Sequence, residues 1–156
     1  MWRLLEQVAE LERRVAALYD RYAELFRHSP LIAAFWREMA GDERLHALII
    51  AAAREVFPVT APAPPGNWSG YLTAVADSLS AIEGRVGDAV PVEDAFASAE
   101  QLETSELNMV TESIIRHAGE GFSRLGRLVG NSGVDRHLHK MLEARLRFQI
   151  PEVARN

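Results

Sequence analysis

Seven ionisable side chains stand out for where they fall in the chain: Glu12, Glu43, His46, Glu103, Glu106, Asp135 and His139. Turning each segment by about 100° per residue puts Glu12 inside the stripe of Val8, Val15 and Tyr19. Glu6, Glu10, Asp20 and Glu24 project away from that stripe. His46 lies near the centre of the face formed by Phe35, Met39, Ile49 and Ile50, with Glu43 beside it, while Glu38 and Glu55 point elsewhere. Glu103 and Glu106 straddle a third apolar face, made by Val92, Ala95, Phe96, Ala99, Leu102, Val110 and Ile114. Three segments therefore each turn one or two ionisable groups toward a core.

Carboxylates are costly inside a core unless something compensates their charge. Divalent metal ions would compensate several at once. The i, i+3 spacing of Glu43 and His46 sets a carboxylate and an imidazole on neighbouring turns of one face, as two ligands of one ion require. Taken singly, each residue has a plain structural reading. Glu12 could be an edge residue reaching solvent, His46 a satisfied core histidine, and Glu103 with Glu106 a solvated pair in a groove. Their joint occurrence on three segments favours a shared ligand set. The chain has no cysteine, which excludes disulfides, thiol chemistry and iron–sulfur clusters. Any metal must be held by Asp, Glu and His, a donor set suited to iron, manganese or zinc.

These side chains need long helices to carry them. The 156 residues suit one domain, and 48% apolar residues suffice for a core. Apolar periodicity predicts four long helices, over about 2–28, 30–56, 91–117 and 134–148. Ser29-Pro30 starts the second, Pro58 stops it, and Thr60–Gly66 is a proline-rich break. The crossover, 57–90, contains a shorter amphipathic stretch over Trp68–Val86 with Leu72, Val75, Leu79 and Ile82 on one side. The first two helices are joined by almost nothing and must form an antiparallel hairpin. The long crossover is enough to travel the length of a bundle. The expectation is all-α: two antiparallel helix pairs joined by one crossover. The net charge of −5, with acidic and basic residues interspersed, offers no footprint for nucleic acid or a membrane surface. The longest apolar run, Leu48–Ala53, is far too short to span a bilayer, and a cytoplasmic location follows by default.

Leu11-Glu12 with Tyr19, Met39-Ala-Gly-Asp-Glu43-Arg-Leu-His46 and Ala99-Glu-Gln-Leu-Glu103-Thr-Ser-Glu106-Leu-Asn108 together resemble the rubrerythrin/ferritin-like di-iron carboxylate family. The resemblance implies a ferritin-like four-helix bundle holding two iron ions, with manganese or zinc as alternatives. Glu12 and Glu103 would be bridging or terminal carboxylates, and Glu43 with His46 would complete one ion. Glu106 with His139, and Asp135, would complete the other, with Tyr19 standing beside the metals. The implied activity is reaction with peroxide or dioxygen, or oxidation of ferrous iron, in a homodimer. Lacking cysteine, the chain would draw electrons from an external donor.

The last helix departs from the pattern. Asp135-Arg-His-Leu-His139 mirrors Asp42-Glu-Arg-Leu-His46, but Arg136 stands where Glu43 does. An alternative alignment, starting both helices at Ser29 and Ser132, sets Leu146 and Gln149 opposite Glu43 and His46 and leaves a half-site without ligands. The competing functional expectation is accordingly a non-catalytic helical scaffold with a degenerate or single-metal site.

Overall fold

Apolar residues recurring every three or four positions from Leu4 to Ala23 wind the first 25 residues into one long helix. The computed structural model describes residues 1–56, 66–104 and 134–151, the side chains of 54–56 and 134–136 excepted. Helix α1 spans Trp2–Leu25 and buries Leu5, Val8, Val15, Leu18, Tyr19 and Tyr22 along one side. It stops at Phe26, short of the expected 28, and a tight turn follows in which the Ser29 amide donates to the Phe26 carbonyl at 2.8 Å. Helix α2, Pro30–Val56, starts where proline can occupy a first-turn position at no cost in hydrogen bonds. Its first turn is anchored by Ala33, whose amide donates to the Ser29 carbonyl at 3.0 Å.

Helix α3, Trp68–Arg85, lies in the expected crossover, and the Asn67 side chain caps it by accepting from the Gly70 amide. Helix α4, Val92–Glu103, has Glu93 and Asp94 in its first turn, where carboxylates oppose the positive end of the helix dipole. The helix expected over 91–117 is thus seen as far as Glu103, and its remaining positions beyond 104, Glu106 among them, lie outside the described residues. Helix α5 spans Val134–Phe148, the limits that periodicity predicts. It ends as Gln149 turns to φ 55° and the Ile150 amide reaches back to the Arg145 carbonyl at 2.9 Å.

The described residues hold five helices and no strand. The α1–α2 hairpin is the most extensive contact; α3 lies on α1, α4 meets α3 and α5, and α5 also touches α2. Residues of all five helices join one apolar core. Its densest part is aromatic, with the Trp36 ring 5.4 Å from Tyr19, 5.0 Å from Tyr22 and 4.8 Å from Phe96 between centroids. Full burial of a Phe96-sized side chain stabilises by about 1.5–3 kcal/mol. Rings at these separations add packing geometry to area. The aromatic block fixes α1, α2 and α4 against one another, and the polar cluster sits beside it. None of the described helices is long and apolar enough to cross a membrane.

Candidate metal centre

Four helices each deliver ionisable groups to one place in the core. Helix α1 gives Glu12, α2 gives Glu43 and His46, α4 gives Glu103 and α5 gives His137; every one is buried, with at most 4% of its surface exposed. Each rides on the inward side of its helix among buried neighbours: Val8 and Val15, Met39 and Ala47, Ala99 and Leu102, and Met141. The apolar periodicity that builds the core thus also aims the ligands.

The five groups form two overlapping triads that share Glu43. One is Glu12, Glu43 and His46; the other is Glu43, Glu103 and His137; within each, the ligand atoms all lie within 4.8 Å of one another. His46 Nδ1 is 3.1 Å from Glu43 Oε2 and 4.0 Å from Glu12 Oε2. His137 Nδ1 is 3.1 Å from Glu43 Oε1 and 3.0 Å from Glu103 Oε2. The two carboxylate oxygens of Glu43 therefore face different imidazoles. The imidazole rings stand 5.3 Å apart between centroids.

A second layer holds these groups in place. The Tyr19 hydroxyl donates to Glu103 Oε1 at 2.9 Å, leaving Oε2 toward His137. Asp42, adjacent to Glu43, points its carboxylate at the far nitrogen of His137, with Oδ2 3.3 Å from Nε2. Lys140 Nζ lies 2.5 Å from that same Asp42 oxygen and 2.7 Å from Glu38 Oε1. From His137 outward, charges alternate until the exposed Glu38 carboxylate is reached.

Without metal, protons take the place of cations. Burial pushes the Glu12 carboxyl well above the usual range, and the Glu43 and Glu103 carboxylates push it further. Glu103 is raised mainly by burial and then by Glu43, against the lowering influence of His137 and Tyr19. Burial would raise Glu43 too, but His137 and His46 outweigh it and hold Glu43 well below the ordinary value. Burial alone would push His137 down, yet Asp42, Glu103 and Glu43 surround it and bring it up to about 12. Asp42 is drawn down to about 2, chiefly by His137 and then by Lys140 against the effect of burial. The Tyr19 hydroxyl is raised by burial and by the Glu103 and Glu43 carboxylates. The cluster thus sets the His137 imidazolium among carboxylates that cannot all ionise in so dry a place.

Among the described residues, Glu43 Oε1 is buried and makes no well-aligned hydrogen bond, whereas His137 Nε2 faces Asp42. Native cores rarely leave such atoms unmatched, and an ion-binding role is one reason they do so. Three carboxylates and two imidazoles, with no sulfur, are donors for iron, manganese or zinc. The residues present could therefore hold a divalent cation, and Glu43 belongs to both triads.

Of the residues singled out from sequence, Glu12, Glu43, His46 and Glu103 converge, and Tyr19 stands beside Glu103. Glu106 lies outside the described residues, as does the Asp135 side chain. His139 is not brought to the cluster. Its side chain is 71% exposed and its Nε2 meets Glu143 at 3.1 Å on the outer face of α5. Leu142 and Leu146, further along the side of α5 that carries His139, are likewise outside, being 54% and 81% exposed. The alternative register, with Leu146 and Gln149 inward, does not hold either, since both are exposed. The inward residue is His137, which sequence reasoning missed. A signal was available: His137, Met141, Ala144 and Phe148 recur at i, i+4, i+7 and i+11. No protein-family model, curated protein or solved structure compared with the chain matches it.

Proposed function

We propose that the protein is a dimetal carboxylate protein of the rubrerythrin/ferritin-like type, binding two iron or manganese ions and reacting with peroxide or dioxygen or oxidising ferrous iron. The observation that carries this reading is the pair of buried triads, drawn from four helices, that share Glu43. A ferritin-like arrangement agrees with the α1–α2 and α4–α5 contacts and with α3 lying in the crossover between them. Glu12 and His46 would hold one ion, Glu103 and His137 the other, and Glu43 both. Bound ions of this kind supply the one-electron steps and the charge stabilisation that such reactions need. The chain's own part is to bind, orient and exclude water. Tyr19 fixes which Glu103 oxygen faces inward. Asp42, held by Lys140, directs a proton of His137 to Nε2, so that Nδ1 is the nitrogen offered to the centre. The apolar residues flanking each ligand keep the place dry.

The test is metal analysis of protein purified without chelator, together with an ultraviolet trace of ferrous iron mixed with oxygen. About two equivalents of iron, lost in the double variant Glu43→Ala/His46→Ala, support the reading. No metal in the wild type, or undiminished metal in the variant, sinks it.

One observation favours a second reading. His137 Nδ1 sits at nearly equal distances from Glu43 and Glu103, so an imidazolium already closes that triad as a buried ionic network. On that reading the protein is a non-catalytic helical scaffold, and adding metal or chelator leaves its melting temperature unchanged.

A further inference from the structure

The cysteine-free chain carries no thiol-based electron entry point of its own, and the cluster is enclosed by apolar residues. A separate cavity opens on the aromatic residues that lead to it. About 350 Å³ lies between α1, the end of α3 and the start of α4, within the size range of sites for small organic molecules. Ile82 and Val90 give it apolar walls, Arg85 and Asp94 stand at its rim, and Tyr22 and Ser98 contribute hydroxyls. Tyr22 is wholly buried, and among the described residues its hydroxyl, with the Ser98 side chain beside it, makes no well-aligned hydrogen bond. A polar atom so placed favours an occupant that can bond it. Arg85 and Asp94 form no ion pair with each other or with any other described residue, so both remain available to a ligand.

Behind that hydroxyl runs a chain of oxidisable rings. The Tyr22 ring stacks on Tyr19 at 6.4 Å, both pack on Trp36, and the Tyr19 hydroxyl donates to Glu103. We infer that this cavity binds a single-ring hydroxyaryl reductant, a phenol or hydroquinone, whose hydroxyl meets Tyr22 and whose electron passes along Tyr22 and Tyr19 toward the Glu103 side of the cluster. The size admits one substituted ring, the walls favour an apolar ring face, and the floor selects a hydroxyl. The electron's destination rests on the dimetal reading; the binding does not. With peroxide as oxidant, two donor molecules and one peroxide give two waters and two aryloxyl radicals. The O–O bond and one O–H bond of each donor break, and two O–H bonds of water form. Each donor loses one electron and one proton, the proton leaving by way of the Asp94 carboxylate at the rim.

The test begins with metal-free protein, titrated with hydroquinone under nitrogen and followed by calorimetry and saturation-transfer NMR. One site is expected, weakened about three- to tenfold in Tyr22→Phe, which keeps the ring and the packing. Ala97→Trp, which fills the cavity from its α4 wall, should abolish binding, and Ser98→Leu serves the same purpose if the tryptophan unfolds the chain. In iron-loaded protein with peroxide, the cavity-filling variant should slow hydroquinone oxidation while iron content is unchanged. No binding to the wild type, or binding undiminished in both cavity-filling variants, overturns the inference. Metal uptake without hydroquinone binding removes the pocket and keeps the dimetal reading. Hydroquinone binding without metal uptake removes that reading and the electron route together.

Discussion

His46 and His137 face each other across Glu43, but they reach that position by different means. His46 finds Glu43 three residues away on its own helix and Glu12 on the adjoining arm of a tight hairpin. His137 takes no partner from its own helix among the described ligands. Its carboxylates come from α2 and α4, and the group that orients it, Asp42, is also on α2. One half of the cluster is therefore local, made by a helix and its hairpin partner. The other half exists only once distant segments have met. A local half-site should survive perturbations that dissolve the remote one, whereas the shared residue should destroy both.

Glu43→Ala removes the group common to the two triads, and the largest effect is expected there. Metal content should fall from two ions to none, whichever half is local. Replacing either histidine should instead separate the halves. His137→Ala should leave one ion on Glu12, Glu43 and His46. In the metal-free state it also takes the imidazolium from between Glu43 and Glu103, and removing one partner of a buried ionic group costs about 3–5 kcal/mol. His139→Ala, on the solvent face two residues away, should change stability by no more than about 0.5 kcal/mol and leave both ions in place. Metal analysis with urea unfolding of the two variants decides the matter. Equal losses in His137→Ala and His139→Ala would place both histidines in the same role, and the inward and outward sides of α5 would not differ.

The same contrast explains what could be read from the sequence. Glu12, Glu43, His46 and Glu103 are legible because each interrupts a face that is otherwise apolar, and periodicity alone identifies such a face. Helix α5 offers two candidate faces. The line through Leu142 and Leu146, which carries Asp135 and His139, runs toward the edge of the apolar arc and does not settle which side is inward. The true inward side holds His137, Lys140 and Arg145 beside Met141 and Ala144, and so reads as polar. Those charges are tolerable inside because Arg145 meets Glu100 and the Pro151 carbonyl and Lys140 meets Asp42 and Glu38. All those side-chain partners lie on other helices. No window of local sequence contains them, so the recurrence of Met141, Ala144 and Phe148 was masked by charges whose partners lie elsewhere in the chain. Helix limits were legible for the converse reason, since Pro30 and the start of α4 act within a few residues of themselves.

Asp42→Asn tests the remote half more gently. Asparagine keeps the size of the side chain but loses the charge that faces His137 and Lys140. Groups that orient a metal-binding imidazole contribute about 10–100-fold to affinity. One of the two ions should therefore weaken by that factor while the ion beside His46 is unaffected, giving a biphasic metal titration where the wild type is nearly uniform. A uniform weakening of both ions would mean that Asp42 acts on Glu43 through the backbone of α2, and the halves would no longer be separable.

The mildest probe alters no residue. Glu12 and Glu103 have raised values in the folded chain, and His137 is raised from 6.5 to about 12. The stabilisation linked to His137 is fully present below 6.5 and is lost as pH rises from there through about 12. The raised carboxyls act in the same direction above their ordinary value of 4.5, because the folded chain retains protons that the unfolded chain has released. Asp42, drawn down from 3.8 to about 2, acts oppositely: its contribution is present above 3.8 and is lost as pH falls through 2. The metal-free protein should thus lose stability between pH 6.5 and 8.5. One proton of difference amounts to about 1.4 kcal/mol per pH unit, or about 3–5 °C in Tm for a chain of this size. Metal requires the same ligands deprotonated, so the manganese-loaded protein should gain stability over that interval. Melting curves with chelator and with manganese should therefore slope in opposite directions against pH. Removing His137 should reduce the chelator slope by about one proton's worth, whereas removing the exposed His139 should leave it alone. Parallel slopes with and without manganese would show that the ion does not displace those protons, and the cluster would then be an ionic network closed by the imidazolium of His137.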